Sequence, residues 1–521
     1  MAITGVVGVA PYSHAIVSAM SEQTTMTPAR RRAILVTLTA TVGIFVLTST
    51  LANVALPQIQ GAFAATQDQI TWIITANLLA MAVATPMSGW LDGRFGRRRV
   101  MLCSSGGFIV ASILCGLATS LEELVLLRAA QGFTGAPLLP LSQAIIISIY
   151  TRAQHGRVLV LWSMGVTIAN IIAPLVGGYM SEDYSWRWVF LMIVPPAAVC
   201  FLALWHFIQK PEEQPTAGRL DWFGFIFLAL SVSALQIMLD RGQRQDWFDS
   251  PEIIAEAIVA VGSFYLFIVH VTTTDRPFLQ LRLLLDRNYA VGIIIGFTFG
   301  MLYFTTIVLQ PTMLQTLQGY PDSLIGIIQS TRGVGLLTGS FILLTLLRNL
   351  DPRTVLFLGF LIQGVAGLAM SQFDVNMTLF AVTWTTFLQG FGVGMMWSPI
   401  FLVTFATLAP QHVPEAASVF HLLRNIGSSV HITLTATLVV RTGRATYSEM
   451  IQALNPFNEA LAYGSVMGKW SMASESGLTA LAGEVGRQAA LVGYVNGYFA
   501  YALAAILVMP LAFLAKRPQM G

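Results

Sequence analysis

Apolar residues in this chain come in long blocks rather than in alternation. The blocks are roughly residues 33–55, 70–91, 100–119, 123–148, 158–180, 187–208, 222–240, 253–272, 290–311, 324–347, 355–371, 379–408, 417–440 and 490–514. Each is close to the ~20 apolar residues an α-helix needs to cross a bilayer. Fourteen membrane-spanning helices are therefore predicted. Pro and Gly inside the blocks do not argue against this, because neighbouring helices satisfy the freed backbone groups. The most informative turn is Gly89-Trp-Leu-Asp-Gly-Arg-Phe-Gly-Arg-Arg-Arg99, which closes one block and opens the next with Arg94, Arg97, Arg98 and Arg99. Juxtamembrane Lys and Arg stay on the cytoplasmic side. Counted outward from this turn, the same side collects Arg30, Arg31, Arg32, Arg152, Arg157, Arg282, Arg287, Arg353 and Lys516. The other side collects Arg187, Arg241, Arg244, Arg441, Arg444 and Arg487. Both termini are expected to be cytoplasmic, which requires an even number of spans.

Composition agrees. The 521 residues are 55% hydrophobic and 10% charged, against about 25% charged in soluble domains. The expected class is an all-α polytopic membrane protein in contact with a lipid bilayer. A net charge of +3 spread over short loops offers no broad basic face, so no nucleic-acid partner is expected. Cys103, Cys115 and Cys200 lie in apolar blocks, and no Cys or His has metal-ligand spacing. No P-loop and no catalytic constellation is present; neither an enzyme nor a cofactor is predicted. Residues 1–32 read as a cytoplasmic tail, since the basic cluster Arg30–Arg32 follows the mildly apolar stretch instead of preceding it.

The chain echoes itself. Span 4 carries Gln131-Gly-Phe-Thr-Gly135 with Pro140 beyond it, and span 12 carries Gln389-Gly-Phe-Gly392 with Pro399 beyond it. The turn after span 2 holds Asp92 and arginines, and that after span 10 holds Arg348, Asp351 and Arg353. Two six-span halves in the same orientation account for this, residues 33–208 and 290–521, with spans 7 and 8 inserted in 209–289. Parallel repeats of this kind are a transporter arrangement with the substrate site between the halves. Residues 441–489 are the one long segment on the outer side. Leu478, Leu481, Ala482 and Val485 give it an amphipathic helical stripe, read either as a loop packed on its own membrane domain or as a docking surface for another protein.

These motifs resemble the major facilitator superfamily, and within it the fourteen-span drug:proton antiporters of the EmrB/QacA type. The resemblance covers nearly all of residues 33–515. Gly89–Arg99 is similar to the loop signature between spans 2 and 3, Arg128-Ala-Ala-Gln131-Gly132 to the span 4 motif, and Pro174-Leu-Val-Gly177-Gly178 to the antiporter motif of span 5. Asn53-Val-Ala-Leu-Pro57, Trp186–Phe190, Leu239–Gly242 with Asp246-Trp-Phe248, and Leu423-Arg-Asn-Ile-Gly427 resemble further landmarks, and the long loop with Asn455-Pro-Phe-Asn458 is closest to the EmrB side. The resemblance implies a secondary active exporter of small amphipathic substrates in a bacterial inner membrane, coupled to protons. It also implies a periplasmic adaptor and an outer-membrane channel as partners. A dedicated exporter of one metabolite, or an exchanger not driven by protons, remains the alternative reading. Where the family has an Asp in span 1 this chain has Thr48; Ala173, Ser428 and His431 stand where it has glycines.

The expected site residues follow. Gly89, Asp92, Arg94, Gly96, Arg97 and Arg98 form the conformational motif, by resemblance a lock on one state of the carrier; the arginines also set topology. Pro174, Gly177 and Gly178 permit close packing and bending. Arg128, with Gln131 and Gly132, and Arg332 and Arg424 are intramembrane cations, which normally face a cavity or a partner; Arg424 is near enough to its span end to snorkel. No Asp or Glu lies near the middle of any block. The titratable groups left deep in the second half are His421 and His431, of which His431 is the more central and the expected proton-coupling group.

Overall fold

The computed structural model describes residues 27–208, 220–274, 277–409, 412–454, 470 and 474–517. Its helices are α1 (Pro28–Phe63), α2 (Gln67–Phe95), α3 (Arg97–Leu117), α4 (Leu121–Gly135), α5 (Leu138–Ile149), α6 (Arg152–Asp183), α7 (Trp188–Leu191), α8 (Val194–Phe207), α9 (Trp222–Arg241), α10 (Pro251–Thr273), α11 (Arg287–Gln318), α12 (Asp322–Asn349), α13 (Pro352–Met370), α14 (Leu379–Thr404), α15 (Val413–Ala453) and α16 (Glu475–Val508). No strand occurs among the described residues. Every expected span falls on a helix, with α4 and α5 forming one crossing and α7 and α8 another.

Thirteen of these crossings are long and apolar enough to span a bilayer on that basis alone. The fourteenth expected span, 417–440, lies inside α15 and does not reach that standard. The reason is its inward-facing polar set: Ser418, His421, Arg424, Ser428, His431, Thr433 and Thr435 are all buried. A helix whose polar face is covered by protein need not be apolar all round.

Helix starts are set by local chemistry. Thr27, Thr66, Ser120, Asp221, Asp286, Asp351, Thr378 and Ser474 each accept a hydrogen bond from a first-turn N–H, worth about 1 kcal/mol apiece. Gly96, at φ 80°, turns α2 directly into α3, a conformation side chains resist.

Packing repeats along the chain. In the first group, α1 packs on α6 and α8, α2 on α4, and α3 on α4 and α8. In the second group, α11 packs on α15 and α16, α12 on α14, and α13 on α14 and α16. The pattern is first-on-fifth, second-on-fourth, third-on-fourth, and first and third on sixth, in both. The groups then meet by exchange: α2 packs on α15, and α6 on α12, the second helix of each against the fifth of the other.

The arginine-rich end carries the same repeat in side chains. Arg30 before α1's first turn ends and Arg98 of α3 donate to the carbonyls of Phe207 and Trp205 at the end of α8. Arg287 of α11 and Arg353 of α13 donate to the carbonyls of Leu514 and Ala515 beyond α16. In each group the first and third helices thus cap the sixth, where orphan carbonyls and the negative dipole end favour cations.

The inserted pair α9–α10 lies over one seam. Leu228 and Val232 of α9 and Phe267 and Val271 of α10 bury against Ala82 of α2 and Leu422 of α15. At the far end Thr75 of α2 donates to Asp240 (2.6 Å), and Thr433 of α15 to the Leu239 carbonyl (3.0 Å).

Candidate functional site

At the arginine-rich end the two groups touch. A Cβ on Gly89 would lie 2.8 Å from the Glu415 Cα, so only glycine lets α2 approach the first turn of α15 this closely. Asp92 pairs with Arg97 across the Gly96 turn at 3.1 Å, and Arg98 both caps α8 and stacks over Trp205. Arg94 is exposed. Val160 of α6 buries against Leu343 of α12 and Met395 of α14 at the same end. The space between the groups is closed here.

Deeper in, three arginines are buried among the described residues. Arg128 is 2% exposed, and Arg332 and Arg424 are 8% exposed. Arg128 bonds Gln131 of its own helix, which donates to Ser112 of α3, and lies over the Phe190 ring. Gly132, one turn on, faces the Asn77 carbonyl of α2, while the Asn77 amide donates to the Arg128 carbonyl (2.8 Å). The second group repeats this with a larger network. Arg332 donates to Gln389 (2.5 Å) and to the Tyr303 carbonyl (2.7 Å); Gln389 donates to Tyr501, Tyr501 to Gln363, and Gln363 to the Gln389 carbonyl. Gly390 faces the Arg332 carbonyl, as Gly132 faces Asn77.

Arg424 behaves differently. It lies about 16 Å along α15 at 1.5 Å per residue, donates to Asn425 next door (2.9 Å), and stacks over Trp397 at 5.4 Å and Phe304 at 6.0 Å. It does not snorkel, because α15 starts at Val413 and packing covers the route to the surface. With Phe299, Trp397, Ile400, Phe401 and Phe420 it lines a cleft between α11, α14 and α15. Among the described residues none of the three arginines pairs with a carboxylate.

The two histidines differ in their partners. His431 bonds Thr305 of α11 through Nδ1 at 2.6 Å, inside the second group. His421 reaches across the groups: its Nε2 meets the Gln143 amide oxygen of α5 at 2.8 Å. Both partners are at most 1% exposed. The more central histidine by sequence is thus the one buried in its own group.

The description of the Major Facilitator Superfamily matches residues 38–431. The chain is 32% identical over 475 residues to "Multidrug export protein EmrB" of Escherichia coli (strain K12), covering 91% of this chain and 93% of that one. It is 30% identical over 486 residues to "Fatty acid resistance protein FarB" of Neisseria gonorrhoeae, covering 93% and 96%. The chain belongs to the major facilitator superfamily.

Two solved structures share the fold. The human transporter MFSD10 superposes with a TM-score of 0.60 at 12% identity, covering 94% of this chain and all of that one, and the proton:xylose symporter XylE with 0.61 at 13%, covering 94% and 96%. As a major facilitator of the EmrB type this is a multi-pass membrane transporter and not an enzyme. Thr48, where the family has an Asp, is buried and donates to the Ile44 carbonyl of its own helix. Pro174, Gly177 and Gly178 lie in the last third of α6, and their surroundings fall outside the described residues, as do those of Asn53 and Pro57.

Residues that sequence reasoning passed over are mostly amides. Gln143, Gln310 and Gln363 are all 0% exposed. An amide in a dry core is costly without a partner, so an isolated Gln in an apolar block was the available signal. The stripe on 475–489 is also rotated: Gly477, Leu481, Val485 and Ala489 are the buried row of α16, while Leu478 and Ala482 are exposed. The burying partner is α15, where Gly443 meets Ala489 and Ala490.

Proposed function

We propose that this transporter is a secondary active multidrug exporter that works by alternating access between halves 33–208 and 290–521, with 209–289 as an inserted pair. The observation that carries the reading is the exchange contact, α2 on α15 and α6 on α12, closed at the arginine-rich end by Gly89 against Glu415. Rocking the groups about that seam opens one end as the other closes. Similarity to export proteins supports efflux of small amphipathic compounds. The Gly89–Arg98 turn stabilises the state closed at its end, and the positive-inside rule puts that end, and both termini, in the cytoplasm of a bacterial inner-membrane protein.

Protons are the proposed coupling ion. His421 takes precedence over His431 as the coupling group, because its bond to Gln143 must break whenever the groups separate at that end. The α15–α16 hairpin runs past the apolar spans at the opposite end, and we assign it as the docking surface for a periplasmic adaptor leading to an outer-membrane channel; residues 455–469 and 471–473 lie outside the described ones.

The test is pH-driven transport in inverted vesicles. An imposed gradient is expected to drive uptake of an amphipathic dye, and His421→Gln to abolish it while leaving substrate counterflow. Full pH-driven uptake by His421→Gln removes this histidine as the coupling group. Absence of counterflow in the unaltered protein removes the exporter reading itself.

A further inference from the structure

The turn that joins α9 to α10 at the outer end carries two motifs to which transport by the two groups gives no role, Leu239–Gly242 and Asp246–Phe248. It is tightly wound. Asp246 and Trp247 follow one another at φ 51° and 57°, left-handed conformations that side chains hold only where the surroundings fix them. The Trp247 N–H donates to the Gly242 carbonyl (2.8 Å) and its indole N–H to Gln243 (3.3 Å). A Cβ on Gly242 would lie 2.8 Å from the Trp247 ring. Arg241 pairs with Glu252 in the first turn of α10. The last turn of α9 is therefore held at a fixed angle.

Two neighbouring residues of that last turn reach different helix groups. The Asp240 carboxylate accepts from Thr75 of α2 (2.6 Å), and the Leu239 carbonyl accepts from Thr433 of α15 (3.0 Å). Both threonines are buried. Other threonines of the same helices turn their hydroxyls back on their own backbone, Thr85 to the Met81 carbonyl and Thr435 to that of His431. Thr75 and Thr433 point theirs at α9 instead. The Leu239 carbonyl belongs to the last turn of its helix, where carbonyls lack intrahelical partners, and Thr433 supplies one. At the arginine-rich end the same pair is tied to α15. Asp221, which caps α9, accepts from the Phe278 N–H (3.1 Å), and Glu415 of α15 accepts from the Gln280 N–H (2.6 Å).

Resting on the alternating-access reading, we propose that α9–α10 is a brace across the α2–α15 seam, and that its outer bridge, Thr75–Asp240 with Thr433–Leu239, stabilises the state closed at the arginine-rich end. Rocking carries α2 with the first group and α15 with the second. Residues 239 and 240 are one peptide apart in a rigid turn and cannot follow both helices. At least one of the two hydrogen bonds breaks when the outer end closes. The insert thus sets the balance between the two end states from outside the groups that move.

The experiment measures that balance in the full-length protein by double electron–electron resonance. Spin labels are placed at the outer end of each group through Ala62→Cys on α1 and Leu379→Cys on α14, both exposed positions. The background is Cys103→Ser, since Cys115 and Cys200 are buried. The longer distance reports the state closed at the arginine-rich end. Thr433→Val and Thr75→Val each remove one hydroxyl and keep the shape. Each is expected to lower the ratio of long to short distances at least about threefold, the weight of one net hydrogen bond. Thr433→Ser restores the hydroxyl and is expected to restore the ratio. If Thr433→Val does not fold, Thr75→Val decides alone, because it leaves Asp240 exposed to water. An unchanged ratio in either valine variant, a shift toward the longer distance, or an equal shift in Thr433→Ser overturns the proposal. Counterflow of rhodamine 6G and of fluorescein in proteoliposomes keeps the two readings apart. Counterflow of either dye with unmoved ratios refutes the brace, and moved ratios with counterflow of neither refute the exporter.

Discussion

The two helix groups share a scaffold and differ in what fills it. Both cap their sixth helix with arginines from the first and third, and both cross their second and fourth helices at a Gln-Gly pair, Gln131-Gly132 and Gln389-Gly390. The fillings diverge. Among the described residues the first group holds one buried arginine, bonded within its own helix and stacked on Phe190. Among the described residues the second holds two, one at the centre of a Gln389–Tyr501–Gln363 network and one over Trp397. Backbone-level contacts, which any change would break, stay paired across the groups. Side-chain contacts, which can be rebuilt by a neighbour, do not. The repeat is therefore a record of packing, and the asymmetry lies in the buried polar side chains.

The sharpest way to break this comparison is at the glycine crossings. Gly132→Leu and Gly390→Leu each drive a side chain into a facing backbone carbonyl, and overpacking of that kind costs about 1–3 kcal/mol or more. Similar losses of thermal stability in detergent are expected from both. A large loss at one and none at the other would mean that the crossings are not equivalent.

Removing the arginines should separate the groups. Arg332→Met strands the Gln389 amide oxygen, at about 1–3 kcal/mol, and loosens the Gln389–Tyr501–Gln363 network around it, while the Tyr303 carbonyl keeps its helix partner. Arg128→Met strands the Gln131 oxygen outside any such network; both changes also remove a buried charge with no carboxylate partner, which offsets part of the cost in each. Thermal unfolding is expected to fall clearly for Arg332→Met and by less than about 1 kcal/mol for Arg128→Met. Equal losses would erase the asymmetry.

The smallest effect concerns the capping turn of the second group. Burial works to raise the Asp351 carboxyl, but hydrogen bonds and charge from Arg353, with the charge of Arg517, outweigh it and hold the carboxyl below its usual range. A depressed carboxylate contributes stability above its unfolded pKa of about 3.9 and loses it as pH falls through the folded value. Asp351→Asn is expected to destabilise the protein at pH 7 by about 1 kcal/mol, as for an ion pair at the protein's rim, and to change nothing near pH 2. A loss that persists in acid would assign Asp351 a role other than charge.

Much of the fold was legible because it is written one helix at a time. Leu379–Thr404 needed no partner to be recognised as a crossing, since its own hydropathy decides. Span 417–440 was legible as a helix but not as the polar seam it forms, because its polar residues read as interruptions until their partners are known. His421 shows the limit most plainly. Its partner Gln143 is 278 residues away, and no spacing within α15 distinguishes it from His431. Trp397 and Tyr303 were indistinguishable from ordinary membrane aromatics until Arg424 and Arg332 were placed over them.

By itself the sequence determined the number and order of the helices, the end of the bundle that gathers arginine, and the Gln-Gly echo between spans 4 and 12. Each depends on local quantities, namely hydropathy over about 20 residues, charge beside a span end, and short motifs. Only the tertiary structure decided that second helices meet fifth helices across the groups, that the inserted pair covers the α2–α15 seam, and which buried cations lack a counter-charge. Those depend on which face of each helix meets which neighbour, and that is settled by close packing among residues far apart in the chain.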